Sequence, residues 1–171
     1  MNYLNLDDYV FSYDVALAED SYQFLEDTDE YNEAYFLQVY QELENVVIEN
    51  FNDEQELYLI INKLLKRNNG KDLILPKILY SRKGLNISGK YLAKTDVKQQ
   101  IIIKIKKNQI KWETLLKSII NQDFPDRKPR FKTNDSYVYP EIYLVNQDET
   151  FALYLYDDRG YTMFNRKDED N

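Results

Sequence analysis

The chain has no cysteine and no histidine among its 171 residues. The first absence excludes disulfides, thiolate nucleophiles and cysteine-held zinc or iron–sulfur groups. The second removes the usual general base near neutral pH, the Ser–His and Cys–His pairs, and the commonest transition-metal ligand. Glycine is scarce as well. Gly70, Gly84, Gly89 and Gly160 are scattered, so no glycine-rich phosphate loop can be assembled. No apolar run approaches the roughly 18 residues of a membrane helix. The amino terminus, MNYLNLDDYVFSYDVALAED, carries acids where a secretory leader would carry Lys or Arg. These absences predict a soluble, cytoplasmic chain with no membrane partner and no cofactor. Any enzymatic chemistry would fall to carboxylates, Lys, Tyr or Arg, with a hard cation such as Mg²⁺.

What is present is charge, sorted by position. Residues 1–62 hold 16 Asp and Glu and no Lys or Arg; residues 63–134 hold 19 basic and 5 acidic residues; residues 135–171 hold 3 basic and 9 acidic. An exposed acidic first third would attract basic partners and repel nucleic acid. The opposite outcome is that the blocks neutralise one another across the fold.

Hydrophobic periodicity places the elements. Residues 8–17 read as a strand. Asp27 and Glu30 have capping-box spacing, and Phe36, Val39, Tyr40, Leu43, Val46 and Val47 recur at helical intervals, so a helix is predicted over about 29–50. Residues 56–67, ELYLIINKLLKR, fit either a helix or a short buried strand at 56–62. Asn68-Asn69-Gly70 stops that element, and Pro76 opens a short helix over KILYSRK. QQIIIKIKK at 99–107 alternates like a strand. Trp112, Leu115, Leu116, Ile119 and Ile120 form the stripe of a helix over about 109–121, which Pro125 and Pro129 end. EIYLVN, FALYLYD and YTMFN are three consecutive strands joined by NQDE and DDRG.

The reading is a single α+β domain over 1–165, mainly an antiparallel sheet with helices packed on one face, followed by a polar tail at 166–171. Sequence order alone predicts a type I turn at DDRG, with Asp157 first and Gly160 fourth at positive φ. That accounts for Asp157 and Gly160 and leaves Asp158 and Arg159 unassigned. Neighbouring side chains on a tight turn usually point apart, which favours a structural role over a catalytic pair, although adjacent aspartates could share Mg²⁺.

LLKSIINQDFPDRKPR, YPEIYLVN and FALYLYDDRGY together resemble the carboxy-terminal signature of an uncharacterised bacterial domain-of-unknown-function family. The resemblance covers about 100–165 and, more weakly, 30–65. There the helix followed by ELYLIIN is similar to the family's helix and strand, and so favours strand at 56–62. The chain departs from the family pattern after DDRG, where Tyr161-Thr162-Met163-Phe164 replaces a short strand containing an Asp. The family implies no activity.

No metal ligand set or catalytic motif is assigned, and the chain reads as a non-enzyme. The expected function is a small acidic protein-binding module. Its most concrete form is an immunity-type inhibitor that occludes a basic bacterial toxin, by analogy with small acidic proteins of that general kind. Glu33, Glu44 and Glu49, which have no sequence-local counter-ion, and Tyr31 and Tyr35 are the partner-binding candidates. Tyr3, Tyr9, Tyr13 and Tyr22 are further tyrosines that could join an acidic face. One alternative is a Mg²⁺-assisted hydrolase built on Asp157 and Asp158. Another is a nucleic-acid-associated protein using Lys104, Lys106, Lys107, Lys111, Lys117, Arg127, Lys128, Arg130 and Lys132 around Trp112. Lys111 and Trp112 cannot share a helix face, which weighs against the latter.

Overall fold

A computed structural model describes residues 4–53, 55–64, 74–91, 98–131 and 139–166. In chain order the elements are β1 (Phe11–Ala16), α1 (Glu33–Asn50), β2 (Glu56–Leu64), α2 (Leu75–Ile78), β3 (Asn86–Tyr91), β4 (Lys98–Lys106), α3 (Trp112–Ile120), β5 (Glu141–Val145), β6 (Phe151–Leu155) and β7 (Gly160–Asn165). The strands form one seven-stranded sheet in the order β1-β7-β6-β5-β2-β4-β3. Every neighbouring pair is antiparallel. The fold is therefore α+β, as the order of elements predicted.

Alternation along the strands sorts the core. Leu57, Leu59, Ile61, Ile101, Ile103, Ile105, Ile142 and Leu144 point to one face, where Val39 and Leu43 of α1 and Leu115, Leu116 and Ile119 of α3 cover them. Each such burial contributes about 1.5–3 kcal/mol. Ile60, Ile102, Tyr143, Val145 and Ala152 point the other way and are covered by Leu4 and Tyr9. The amino-terminal segment is held there by Leu4 N donating to the Gln100 side chain at 2.8 Å. No helix among the described residues is long and apolar enough to cross a membrane.

Several boundaries differ from the periodicity reading. The first long helix starts at Glu33, and its cap is the Asn32 side chain, which accepts from Tyr35 N, in place of the Asp27/Glu30 box. Asp27 has φ 57°, and its segment is instead closed by the Phe24–Tyr31 bridge. The helix at Pro76 ends at Ile78, because Leu79 bridges to Ile110 and Tyr80 N donates to Gln109 O at 3.1 Å. Residues 107–109 form a 3-10 turn, so the third helix begins at Trp112. β2 is a strand through Leu64, in line with the strand reading of 56–62.

β3 has no counterpart in the sequence reading. NISGKY has neither alternation nor β-branched density and becomes a strand by pairing with β4. Asn68-Asn69-Gly70 and residues 167–171 of the polar tail lie outside the described residues. Arg166 is held by its N–H to Thr150 O at 2.8 Å and its guanidinium 3.4 Å from Asp8.

Candidate recognition surface and the Asp-Asp-Arg-Gly turn

The turn between β6 and β7 sends both aspartates inward: Asp157 is 3% and Asp158 2% exposed. The expectation that neighbouring carboxylates diverge is therefore corrected. Asp157 Oδ1 accepts from Arg159 N at 2.8 Å and Oδ2 from Arg159 Nε at 2.8 Å, and an ion pair to the same guanidinium completes the clasp. The turn thus caps itself. Asp158 Oδ2 accepts from Tyr35 of α1 at 2.9 Å and from Gln23 at 3.1 Å. Burial raises the Asp158 pKa, while those two donors pull it down. Burial also pushes the Tyr35 hydroxyl well above its ordinary value.

Gly160 is not at positive φ. Its requirement is space, since a Cβ there would run into the Val15 carbonyl and the Tyr156 hydroxyl.

Asp123 brings a third carboxylate, so that oxygens of Asp123, Asp157 and Asp158 lie within 4.8 Å of one another. This is the geometry a hard cation would need. Both Asp157 oxygens already hold Arg159, however, and Asp158 holds two neutral donors. Asp157 and Asp158 are thus engaged by the protein itself, while Asp123 is exposed.

The segment between β1 and α1 builds the surface beside this turn. The Phe24 and Tyr31 rings lie 5.4 Å apart, tilted by 31°, and pack on Phe124. Asn32 N donates to Gln23 O at 2.9 Å, and Leu25 N to Glu30 O at 2.9 Å. On that anchored lobe Glu19, Asp20, Glu26, Asp27, Asp29 and Glu30 are all exposed. Among the described residues, none of these six is in an ion pair. Tyr22, at 79% exposed, and Leu25 stand between them.

The proposed partner-binding residues fall in different places. Glu33 is 74% exposed but paired with Arg127, whose guanidinium lies 3.6 Å from the centre of the Phe36 ring. That hydrogen bond holds the Glu33 carboxyl below the usual range. Glu33 therefore has a counter-ion, brought by the basic middle folding across it. Glu44 accepts from the Tyr40 hydroxyl at 2.8 Å, and the Tyr40 pKa is pushed up to about 12 by burial and that carboxylate. Glu49 is exposed. At 100° per residue Glu33 and Glu44 share a side of α1, and Glu49 sits about 140° away from Glu44. The three cannot form one patch.

Tyr31 is half-buried in the aromatic cluster, and Tyr35 is buried against Asp158. Tyr9 is buried and Tyr13 half-exposed at the sheet edge; Tyr3 lies outside the described residues. The acidic lobe was legible as charge in the sequence. Its separation from α1 was hidden because Asp27 and Glu30 imitate a helix start.

The basic middle is largely engaged. Lys104 pairs with Glu56 at 2.9 Å, Lys107 with Asp53 at 2.9 Å and Lys117 with Glu113 at 2.7 Å. Lys128 donates to Pro125 O at 2.9 Å, and Arg130 to Gln122 O at 3.4 Å. Trp112 is half-buried and donates to Lys107 O at 2.8 Å, so it offers no stacking platform. Lys106 is exposed, and Lys111 lies 5.8 Å from the Tyr80 ring. Lys132 lies outside the described residues.

The sequence profile of a family described as Domain of unknown function (DUF3885) matches residues 12–170. The chain belongs to that family. It is also similar to the Uncharacterized protein YnaE of Bacillus subtilis (strain 168), with 27% identity over 163 residues, covering 85% of this chain and 73% of the relative. No solved structure matches. The DUF3885 match spans the acidic lobe, all seven strands from within β1 onward and the Asp157–Gly160 turn. Lobe and turn are thus parts of one family domain.

Proposed function

We propose that this protein is a non-enzymatic binding module that captures a basic protein through the acidic lobe of residues 18–32. In its most concrete form it is a cytoplasmic, immunity-type inhibitor that occludes a basic toxin. The observation that carries this reading is the set of six exposed carboxylates around Tyr22 and Leu25, in no ion pair among the described residues and held on a base of packed aromatic rings. Charge draws a basic partner in and selects it, while the apolar side chains provide contact area once water is displaced.

A pull-down with the wild-type chain and with a variant carrying Glu19→Lys, Asp20→Lys, Glu26→Lys and Asp29→Lys tests the reading. A basic protein recovered by the first and lost by the second supports it. Recovery of no basic protein, or of the same proteins by both chains, overturns it.

The convergence of Asp123, Asp157 and Asp158 favours a second reading, a Mg²⁺-assisted hydrolase. Calorimetry with Mg²⁺, Mn²⁺ and Ca²⁺ decides this one: heat of binding that disappears in Asp123→Asn supports it, and no heat removes it.

A further inference from the structure

The sheet has one edge at β1, and no strand among the described residues pairs with its outer side. Natural proteins protect such edges with Lys, Pro, bulges or covering loops, because the unpaired backbone groups accept any passing strand. β1 has none of the first three. Its stretch from Val10 to Leu17 reads VFSYDVAL, without Lys, Arg or Pro, and it pairs with β7 in unbroken register from Phe11 to Ala16. Val10, Phe11 and Tyr13 are 57%, 59% and 51% exposed. Phe11 and Tyr13 lie on the same sheet face as Val15, which packs against the core, so this row of aromatics continues the core's own surface to the edge.

The charge around the edge says what fits it. Asp7 and Asp8 precede β1, Asp14 lies within it, and Glu19 and Asp20 follow it. Arg166 reaches Asp8, and Thr162 donates to Asp14 at 2.6 Å. Asp7, Asp14, Glu19 and Asp20 are in no ion pair among the described residues. Two copies meeting through β1 would bring these acids together with no cation from residues 1–62 to offset them, so a second copy is disfavoured at this edge.

We infer that the outer edge of β1 receives an extended, basic segment of a protein partner as an eighth strand. Backbone hydrogen bonds along about 20 Å of edge would supply affinity. Alternate side chains of the added strand would cover Phe11 and Tyr13, and its Lys and Arg would meet Asp14 and the acids at either end. Because β1 runs directly into residues 18–32, the same partner would continue over the acidic lobe. This inference rests on the proposed function and names how that partner binds.

The test uses the full chain and a synthetic peptide alternating lysine with valine. A control peptide has the same charge, with prolines replacing half the valines. Amide hydrogen exchange and NMR shifts locate the contact. Added protection within Phe11–Val15, with binding weakened about tenfold by the prolines and by Phe11→Lys or Tyr13→Lys, is the expected result. Thermal melts confirm that each variant folds, and protection in the wild-type chain is read independently of them.

Equal binding of both peptides, or shifts confined to residues 18–32, overturns strand addition while leaving capture by the acidic lobe standing. Failure of the peptide to bind at all overturns strand addition, whereas the lobe reading is judged by the pull-down. Sedimentation showing that the chain alone dimerises, with β1 protected, overturns it in favour of a second copy.

Discussion

Tyr35 and Asp158, separated by 123 residues of sequence, share a buried hydrogen bond of 2.9 Å between hydroxyl and carboxylate. Gln23 donates to the same oxygen at 3.1 Å. Asp158 therefore joins three parts of the molecule: the acidic lobe, the first turn of α1 and the β6–β7 turn. Asp158→Ala removes the carboxylate acceptor of both Tyr35 and Gln23 and leaves Tyr35 only the backbone oxygen of residue 158 at 3.1 Å, and is expected to cost about 1–3 kcal/mol in urea denaturation. Tyr35→Phe leaves the buried Asp158 carboxylate with Gln23 as its remaining side-chain donor and is expected to cost a similar amount, because a charged acceptor loses a partner.

The same carboxylate gives a pH signature. Its folded-state pKa is raised, chiefly by burial, so the folded chain binds the proton more tightly than the unfolded one. This contribution is fully present below the unfolded value, about 3.9, and is lost as pH rises through the folded value. Asp158→Asn retains an acceptor for Tyr35 and cannot ionise. The difference in stability between wild type and Asp158→Asn should move in favour of the variant as pH rises across that interval, as followed by urea midpoints.

Glu33 and Arg127 are unequal partners. Glu33 is 74% exposed on its side chain, whereas Arg127 is 15% exposed and stacks on Phe36. Glu33→Gln is expected to cost less than about 1 kcal/mol, the range of a solvent-screened pair. Arg127→Ala also removes ring contact and covered apolar surface and is expected to cost more, about 1–2 kcal/mol. The Glu33 contribution has the opposite sign to that of Asp158. Its pKa is lowered, so the stability is present above the unfolded value and lost as pH falls through the folded one. Melts at low and high salt check both substitutions.

Gly160→Ala should be more damaging than an exposed turn residue would suggest. The added methyl meets Val15 O, a backbone atom fixed in the β1–β7 pairing, and the Tyr156 hydroxyl. Overpacking of this kind costs about 1–3 kcal/mol. The loss should appear as faster amide exchange in β1 before the rest of the sheet opens.

Tyr22 and Phe24 separate recognition from support. Tyr22→Ala is expected to weaken capture of a basic partner with a melting temperature close to wild type, because the ring is 79% exposed. Phe24→Ala removes the ring contacts with Tyr31 and Phe124 and should cost about 1 kcal/mol as well. Equal thermal effects from the two substitutions would mean that Tyr22 carries packing.

Short apolar runs and turn residues suffice to place β5, β6 and β7, because EIYLV and FALYL are buried on both faces and their connections are short. The α1 stripe from Phe36 to Val47 is equally plain, since six apolar residues at helical spacing have no other use. The helix start was harder to read. Asp27 and Glu30 have the spacing of a capping box, but the Phe24–Tyr31 bridge draws them into a separate lobe and Asn32 takes the cap. β3 had no local signal at all, because NISGKY is a strand only while β4 supplies its hydrogen-bonding partner.

Composition and order alone determined the absence of cysteine and histidine, the antiparallel α+β class and the acidic character of the first third. Those properties depend on residue type and local period, which need no distant partner. Tertiary structure decided which charges remain free. Arg127 crosses 94 residues to neutralise Glu33, while the acids of residues 18–32 acquire no such neighbour among the described residues. It also decided that Asp158 faces inward and that β1 lies at an edge. Pairing, burial and edge position are relations between residues far apart in sequence, and only the folded chain brings those residues together.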